Sequence, residues 1–117
     1  MEAENFIHNS PNQIKVGVGV FITQEDDDTF LAYCPALELS TYGESVEDVK
    51  TAFEDVLHIF ITSTVEKGTL ERELLSLGWT LKKKPEPRYK PPLLTNKIKQ
   101  LLSSGASPIE EQLILPV

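Results

Sequence analysis

The sequence predicts an α+β domain, and three observations carry that prediction. Ile14, Val16, Val18, Val20 and Ile22 alternate with Lys15, Gly17, Gly19, Phe21 and Thr23, the period-two pattern of a half-buried strand. Val46, Val49, Phe53, Val56, Phe60 and Thr64 recur at helical spacing, and Ala52, Leu57 and Ile61 widen the stripe. Between and after these lie short alternating stretches bounded by turn residues. The predicted order is strand, strand, strand, helix, short helix, strand. It describes an antiparallel three-stranded meander, one face covered by the long helix, and a fourth strand that returns by a helical crossover beside the first.

Residues 1–12 read as a flexible N-terminus, polar and closing on Asn9-Ser10-Pro11-Asn12. The α+β domain spans 13–84. After the first strand, Glu25-Asp26-Asp27-Asp28 makes a polar turn, and Thr29 to Cys34 forms the return strand of a hairpin. Pro35 interrupts the pattern. Leu37, Leu39 and Thr41 then alternate as a third strand ending at Gly43. Ser45 is suited to cap the helix, and Asp48 completes a capping-box-like signal. The helix runs from about Val46 to Glu66 and stops at Gly68. Thr69 can cap a second helix over Leu70–Leu75, Gly78 ends it, and Trp79 to Lys82 alternate as the fourth strand.

Residues 85–117 read as a proline-rich, basic tail. Pro85, Pro87, Pro91 and Pro92 favour an extended stretch. A short helix fits within Leu93–Ser103, with Thr95 or Asn96 as cap and Gly105 beyond its end. Glu111 to Val117 reads as a strand with Leu113 and Leu115 on one face. Ser107-Pro108-Ile109-Glu110 can open a helix instead, which leaves two readings for this end.

Length and charge bound the function. A chain of 117 residues is one domain's worth. Its single cysteine, Cys34, excludes an intramolecular disulfide and suits a reducing compartment. The acidic N-terminus lacks the basic start of a secretory signal, and no apolar run is long enough to span a bilayer. A cytoplasmic protein away from membranes is expected. Residues 1–81 carry 15 acids and four bases, a net −11, whereas residues 82–117 carry seven bases and three acids, a net +4. An acidic body repels phosphates and attracts basic partners.

The chemistry-bearing residues do not assemble into a catalytic pattern. His8, His58 and Cys34 have no metal-ligand spacing, and Cys34 has no basic neighbour to lower its pKa. No metal and no cofactor are expected. Gly17 and Gly19 are not a phosphate loop, because the third glycine of G-x-G-x-x-G would fall at Ile22, inside a strand. They predict instead a close approach, by a partner's backbone or by the chain's own tail. Glu25, Asp26, Asp27 and Asp28 lack calcium-loop spacing and are candidates for attracting a basic partner. Lys82, Lys83, Lys84, Arg88 and Lys90 are the one basic cluster and the candidates for nucleic-acid contact. No helix-turn-helix or ribbon–helix–helix accompanies them. A binding module rather than an enzyme is expected.

Asp28-Thr29-Phe30-Leu31-Ala32-Tyr33-Cys34-Pro35-Ala36-Leu37, followed by Thr41-Tyr42-Gly43-Glu44-Ser45-Val46-Glu47-Asp48, resembles the signature of the HicB antitoxin family. The resemblance covers about Val16 to Leu81 and includes Gly78-Trp79. It implies a partial ribonuclease H-like fold of order βββαβ, without nuclease chemistry, since Ile14 to Thr23 carries no carboxylate to hold metal ions. It implies a bacterial toxin–antitoxin role, in which the protein, as a homodimer or higher homo-oligomer, neutralises a small basic HicA-like mRNA-cleaving toxin by direct binding. The chain departs from the family pattern at Glu38-Leu39, where many members carry Gly-Cys. It departs again in its short tail, where many members add a DNA-binding module. Two alternatives stand beside it. One is a stand-alone transcriptional or nucleic-acid-binding regulator using the basic tail. The other is an orphan oligomerising domain whose tail adds a strand to a neighbour.

Overall fold

The alternating run at Ile14–Ile22 becomes the strand on which the rest is built. In the computed structural model, which describes residues 5–84 and 87–116, the elements are β1 (Phe6–Asn9), β2 (Gln13–Asp26), β3 (Thr29–Cys34), β4 (Leu39–Gly43), α1 (Val46–Lys67), α2 (Leu70–Ser76), β5 (Thr80–Lys82), β6 (Arg88–Lys90), α3 (Thr95–Ser103) and β7 (Ser107–Pro116). All seven strands join one sheet, ordered β4-β3-β2-β1-β6-β5, with β7 also on β2. Every pairing is antiparallel.

β2 has two edges, and the register shows how they are shared. β7 pairs with Gln13 through Ile22. β1 pairs with Ile14–Gly17 and β3 with Phe21–Asp26. Since β7 overlaps both, β1 and β3 lie end to end on the opposite edge. Gly19 falls in the gap between them, and its N–H is satisfied by Asn5 Oδ1 at 2.8 Å. The Phe6 ring lies where any Cβ at Gly17 would sit. The close approach that the glycines predicted is therefore made by the chain's own N-terminal strand on one face, while its own tail pairs along the far edge.

The even-numbered face of β2 is the core face. Val16, Val18 and Val20 are buried there with Ala32 and Cys34 of β3 and with Val49, Phe53, Leu57 and Ile61 of α1. The capping signal is realised: Ser45 Oγ accepts the Asp48 N–H at 3.0 Å, and Asp48 Oδ2 accepts the Glu44 N–H at 2.9 Å. Gly68 ends α1 at φ 68°, a left-handed conformation that favours glycine. Trp79 is buried, and its indole N–H donates to Ala36 O at 2.7 Å, which pins the start of β5 to the turn after β3.

The structure corrects the expectations at both ends of the chain. The N-terminus expected to be flexible over 1–12 contains β1, because Ile7 is fully buried in the core; residues 1–4 lie outside those described. The strand after the helices does not sit beside β2. It pairs with β6, and β6 pairs with β1, because both edges of β2 are already occupied. Pro85 and Glu86 of the proline-rich stretch lie outside the described residues. The rest of the tail is no appendage, since β6 and β7 are integral to the sheet. α3 lies within the expected Leu93–Ser103, but neither Thr95 nor Asn96 caps it; the cap position is Leu94 and makes no side-chain hydrogen bond. β7 begins at Ser107, so Ser107–Glu110 is strand rather than a helix start. Val117 lies outside the described residues.

Replacing Trp79 by Phe removes the indole donor and leaves Ala36 O unpaired in a dry site. The expected loss is about 1–3 kcal/mol, read as a lower urea midpoint with unchanged slope.

Candidate functional site

Seven exposed carboxylates gather at one end of the sheet. The β2–β3 turn exposes Glu25, Asp26, Asp27 and Asp28. A register shift between Gln24 and Asp26 bulges the strand there. The turn is held locally, with Asp26 Oδ1 accepting the Asp28 N–H at 3.0 Å and Asp26 O accepting from Gln24 Nε2 at 3.1 Å. Pairing of Phe30 with Gly43 brings the end of β4 beside the start of β3. Glu44, Glu47 and Asp48, all exposed, therefore lie at the same end and line a shallow polar hollow with Ser45 and Thr51. The chain reading identified the turn. The carboxylates at the start of α1 join it through strand register, which no local pattern displays.

The basic residues assemble toward the opposite end, on the face of the sheet away from α1. Lys82 lies opposite Arg88, Arg88 opposite His8, and His8 opposite Lys15. Directly opposed residues share a face, so four exposed cationic or protonatable side chains form one row across four adjacent strands. At about 4.8 Å between strands the row spans about 14 Å. Lys90 stands on the same face, two positions along β6. The Phe6 ring lies beside the row, its centroid 4.9 Å from that of His8 and tilted 41°. Lys83 and Lys84 are exposed but follow the end of β5 and lie off the row. His8 and Lys15 were missed as partners of the tail. Their sequence neighbourhoods are unremarkable, and only the β1–β2 and β1–β6 pairings unite them with Arg88. At about 3.3 Å per residue, Lys15 and Glu25 lie about 30 Å apart along β2, so the acidic turn and the basic row stand at separate ends of that strand.

A third polar cluster ties α3 to the sheet. Tyr33 Oη donates to Glu38 Oε2 at 2.5 Å, and Lys97 Nζ lies 3.3 Å from Glu38 Oε1 and 5.2 Å from the Tyr33 ring centroid. The Tyr33 hydroxyl, with help from Lys97, holds the Glu38 carboxyl below its ordinary range. Glu38 has φ 54°, the one non-glycine positive φ among the described residues.

Other candidates resolve simply. Cys34 is fully buried, and burial pushes its thiol up to about 12. His58 is exposed on α1, 3.5 Å from Thr62 Oγ1. Among the described residues no group of three or more His, Cys, Asp or Glu side chains converges as a metal site, and no helix is long and apolar enough to cross a membrane.

Glu111 stands opposite Val18 on the core face, half-buried. Burial, and secondarily the Glu54 carboxylate, push its pKa up from 4.5. A carboxyl whose folded pKa is raised favours folding when protonated and loses that contribution as pH rises through the folded value. Glu111→Gln is therefore expected to melt higher than the native protein at pH 7, with the difference vanishing below about pH 4. Thermal melts across that range check it.

Comparison with known proteins finds no match: no family model, no curated protein and no solved structure.

Proposed function

We propose that the chain is a non-catalytic binding module of the HicB antitoxin kind, with a partial ribonuclease H-like core, that neutralises a small basic HicA-like mRNA-cleaving toxin by direct binding. The observation that carries the reading is the acidic pole, where Glu25, Asp26, Asp27 and Asp28 are joined by Glu44, Glu47 and Asp48. Exposed carboxylates collected on one end steer and orient a cationic partner. Glu38 adds support. It occupies a left-handed backbone position, where the glycine of the Gly-Cys pair carried by many HicB proteins would be unstrained. The departure at that position thus changes the residue and keeps a place suited to glycine.

Tagged protein incubated with lysate of its own host at low salt is expected to retain a small basic protein, released as salt rises. A variant carrying Glu25→Lys and Asp27→Lys is expected to lose at least tenfold in affinity for it. Retention of nothing but the bait, or binding indifferent to both salt and the reversal, overturns the reading.

The row Lys82–Arg88–His8–Lys15 favours a second reading, a nucleic-acid-binding regulator. A basic row beside the half-buried Phe6 ring suits the backbone and bases of a single strand. Fluorescence anisotropy with a single-stranded oligonucleotide is expected to show binding at low salt. The log–log salt slope should be on the order of −3, and Lys15→Glu with Arg88→Glu should abolish binding. No binding at low salt dismisses this reading.

A further inference from the structure

We propose that β7 is the interface of a homodimer, in which the β7 strands of two copies pair antiparallel about a twofold axis at Gln112 and join the two sheets into one. Among the described residues β7 pairs only with β2, so one edge of a ten-residue strand is open. An edge of that length is a template for another strand unless it is blocked.

The direction of each peptide group on β7 follows from β2. The Gly19 N–H points to Asn5, toward the edge that carries β1 and β3. Peptide groups alternate along a strand, so the even-numbered residues of β2 face β7. Their partners are Ile109, Glu111, Leu113 and Leu115. The peptide groups of Glu110, Gln112 and Ile114 therefore face the open edge. Pro108 and Pro116 give an independent check. Both fall in the outward set, the one place in a strand pair where a missing N–H breaks no ladder bond.

The prolines also limit the register, because neither can donate to an added strand. They stand equally far from Gln112, four positions on either side, so a twofold axis at Gln112 sets Pro108 of one copy against Pro116 of the other. The pairs between them are Gln112 with Gln112 and Glu110 with Ile114, each able to exchange both main-chain bonds. No pair inside that span loses a donor. An axis at Glu110 or Glu111 would instead set like charges face to face, and an axis at Leu113 would pair only Glu110 through Pro116, a shorter ladder whose end pairs each lack a donor. On the core face this register places Leu115 against Ile109 of the second copy. Leu115 is also one wall of a mostly apolar groove of about 590 Å³ that His58, Thr62, Val65, Glu66 and Pro116 complete. A second copy fits the edge because the edge is complementary to itself. This interface uses neither charged pole, so it stands or falls apart from the functional readings above.

Cysteine cross-linking and sedimentation on the full chain test it. Directly opposed Cα atoms lie about 5.5 Å apart in such a pair, within disulfide reach. Gln112→Cys is expected to give a cross-linked dimer under mild oxidation. Ile114→Cys, which would face Glu110 of the other copy, is expected to give none. The native Cys34 does not compete, being fully buried. Sedimentation should show twice the 13.1 kDa chain mass. Gln112→Pro removes one outward N–H without touching the bonds to β2, and is expected to weaken the dimer roughly tenfold or more with an unchanged far-ultraviolet spectrum. A native mass of one chain at high concentration overturns the proposal. So does a cross-link at position 114 with none at position 112, or a Gln112→Pro dimer as tight as the native one.

Discussion

Everything in this molecule depends on β2 being held along both edges and both faces. Its even-numbered valines and isoleucines supply the floor of the core, while its odd-numbered positions include two glycines that leave room for the Phe6 ring and the Asn5 side chain. β7 runs along one edge for ten residues, and β1 and β3 divide the other. A strand in that position has no unpaired stretch to slip, and a shift of one residue would turn all its core side chains to the wrong face. The helices, the turn after β3 and the β5–β6 hairpin are then placed relative to a fixed reference. Trp79 and its bond to Ala36 O carry that reference across to the return strand.

The same architecture separates the charges. Because β2 is long, its two ends are far apart, and what gathers at each end is decided by which strands meet there. The β2–β3 turn meets the β4–α1 connection, both rich in carboxylates. The start of β2 meets β1 and, through it, the β5–β6 hairpin, which are rich in bases. An acidic pole and a basic row on a chain of net charge −7 make a protein whose association depends on which end meets the partner. A net charge alone conceals this.

The elements with local signals were legible in the chain. The alternation of β2, the stripe and caps of α1, the glycine stops at Gly68 and Gly78, and the β2–β3 turn each rest on contacts between near neighbours. Of the candidate surfaces, the turn Glu25–Asp28 was legible for the same reason. β1 was not, since four residues beside a proline-containing loop carry too short a period to register. β6, three residues long, was lost among prolines. The hairpin that unites Lys82 with Arg88 spans a stretch whose composition reads as linker.

By itself the sequence determined what each segment is: an α+β chain with a β2-like strand, a capped helix, an acidic front and a basic back. Those properties follow from side-chain periodicity, capping chemistry and residue charge, all of which are local. Only the tertiary structure decided which segments are neighbours. It put the tail on β2 rather than in solvent and moved the strand after the helices away from β2. It also brought His8 and Lys15 into register with Arg88. The physical reason is that strand pairing is main-chain hydrogen bonding, nearly indifferent to side-chain identity. The choice among possible partners is made by the burial each arrangement achieves over the whole molecule, and no short window of sequence contains that sum.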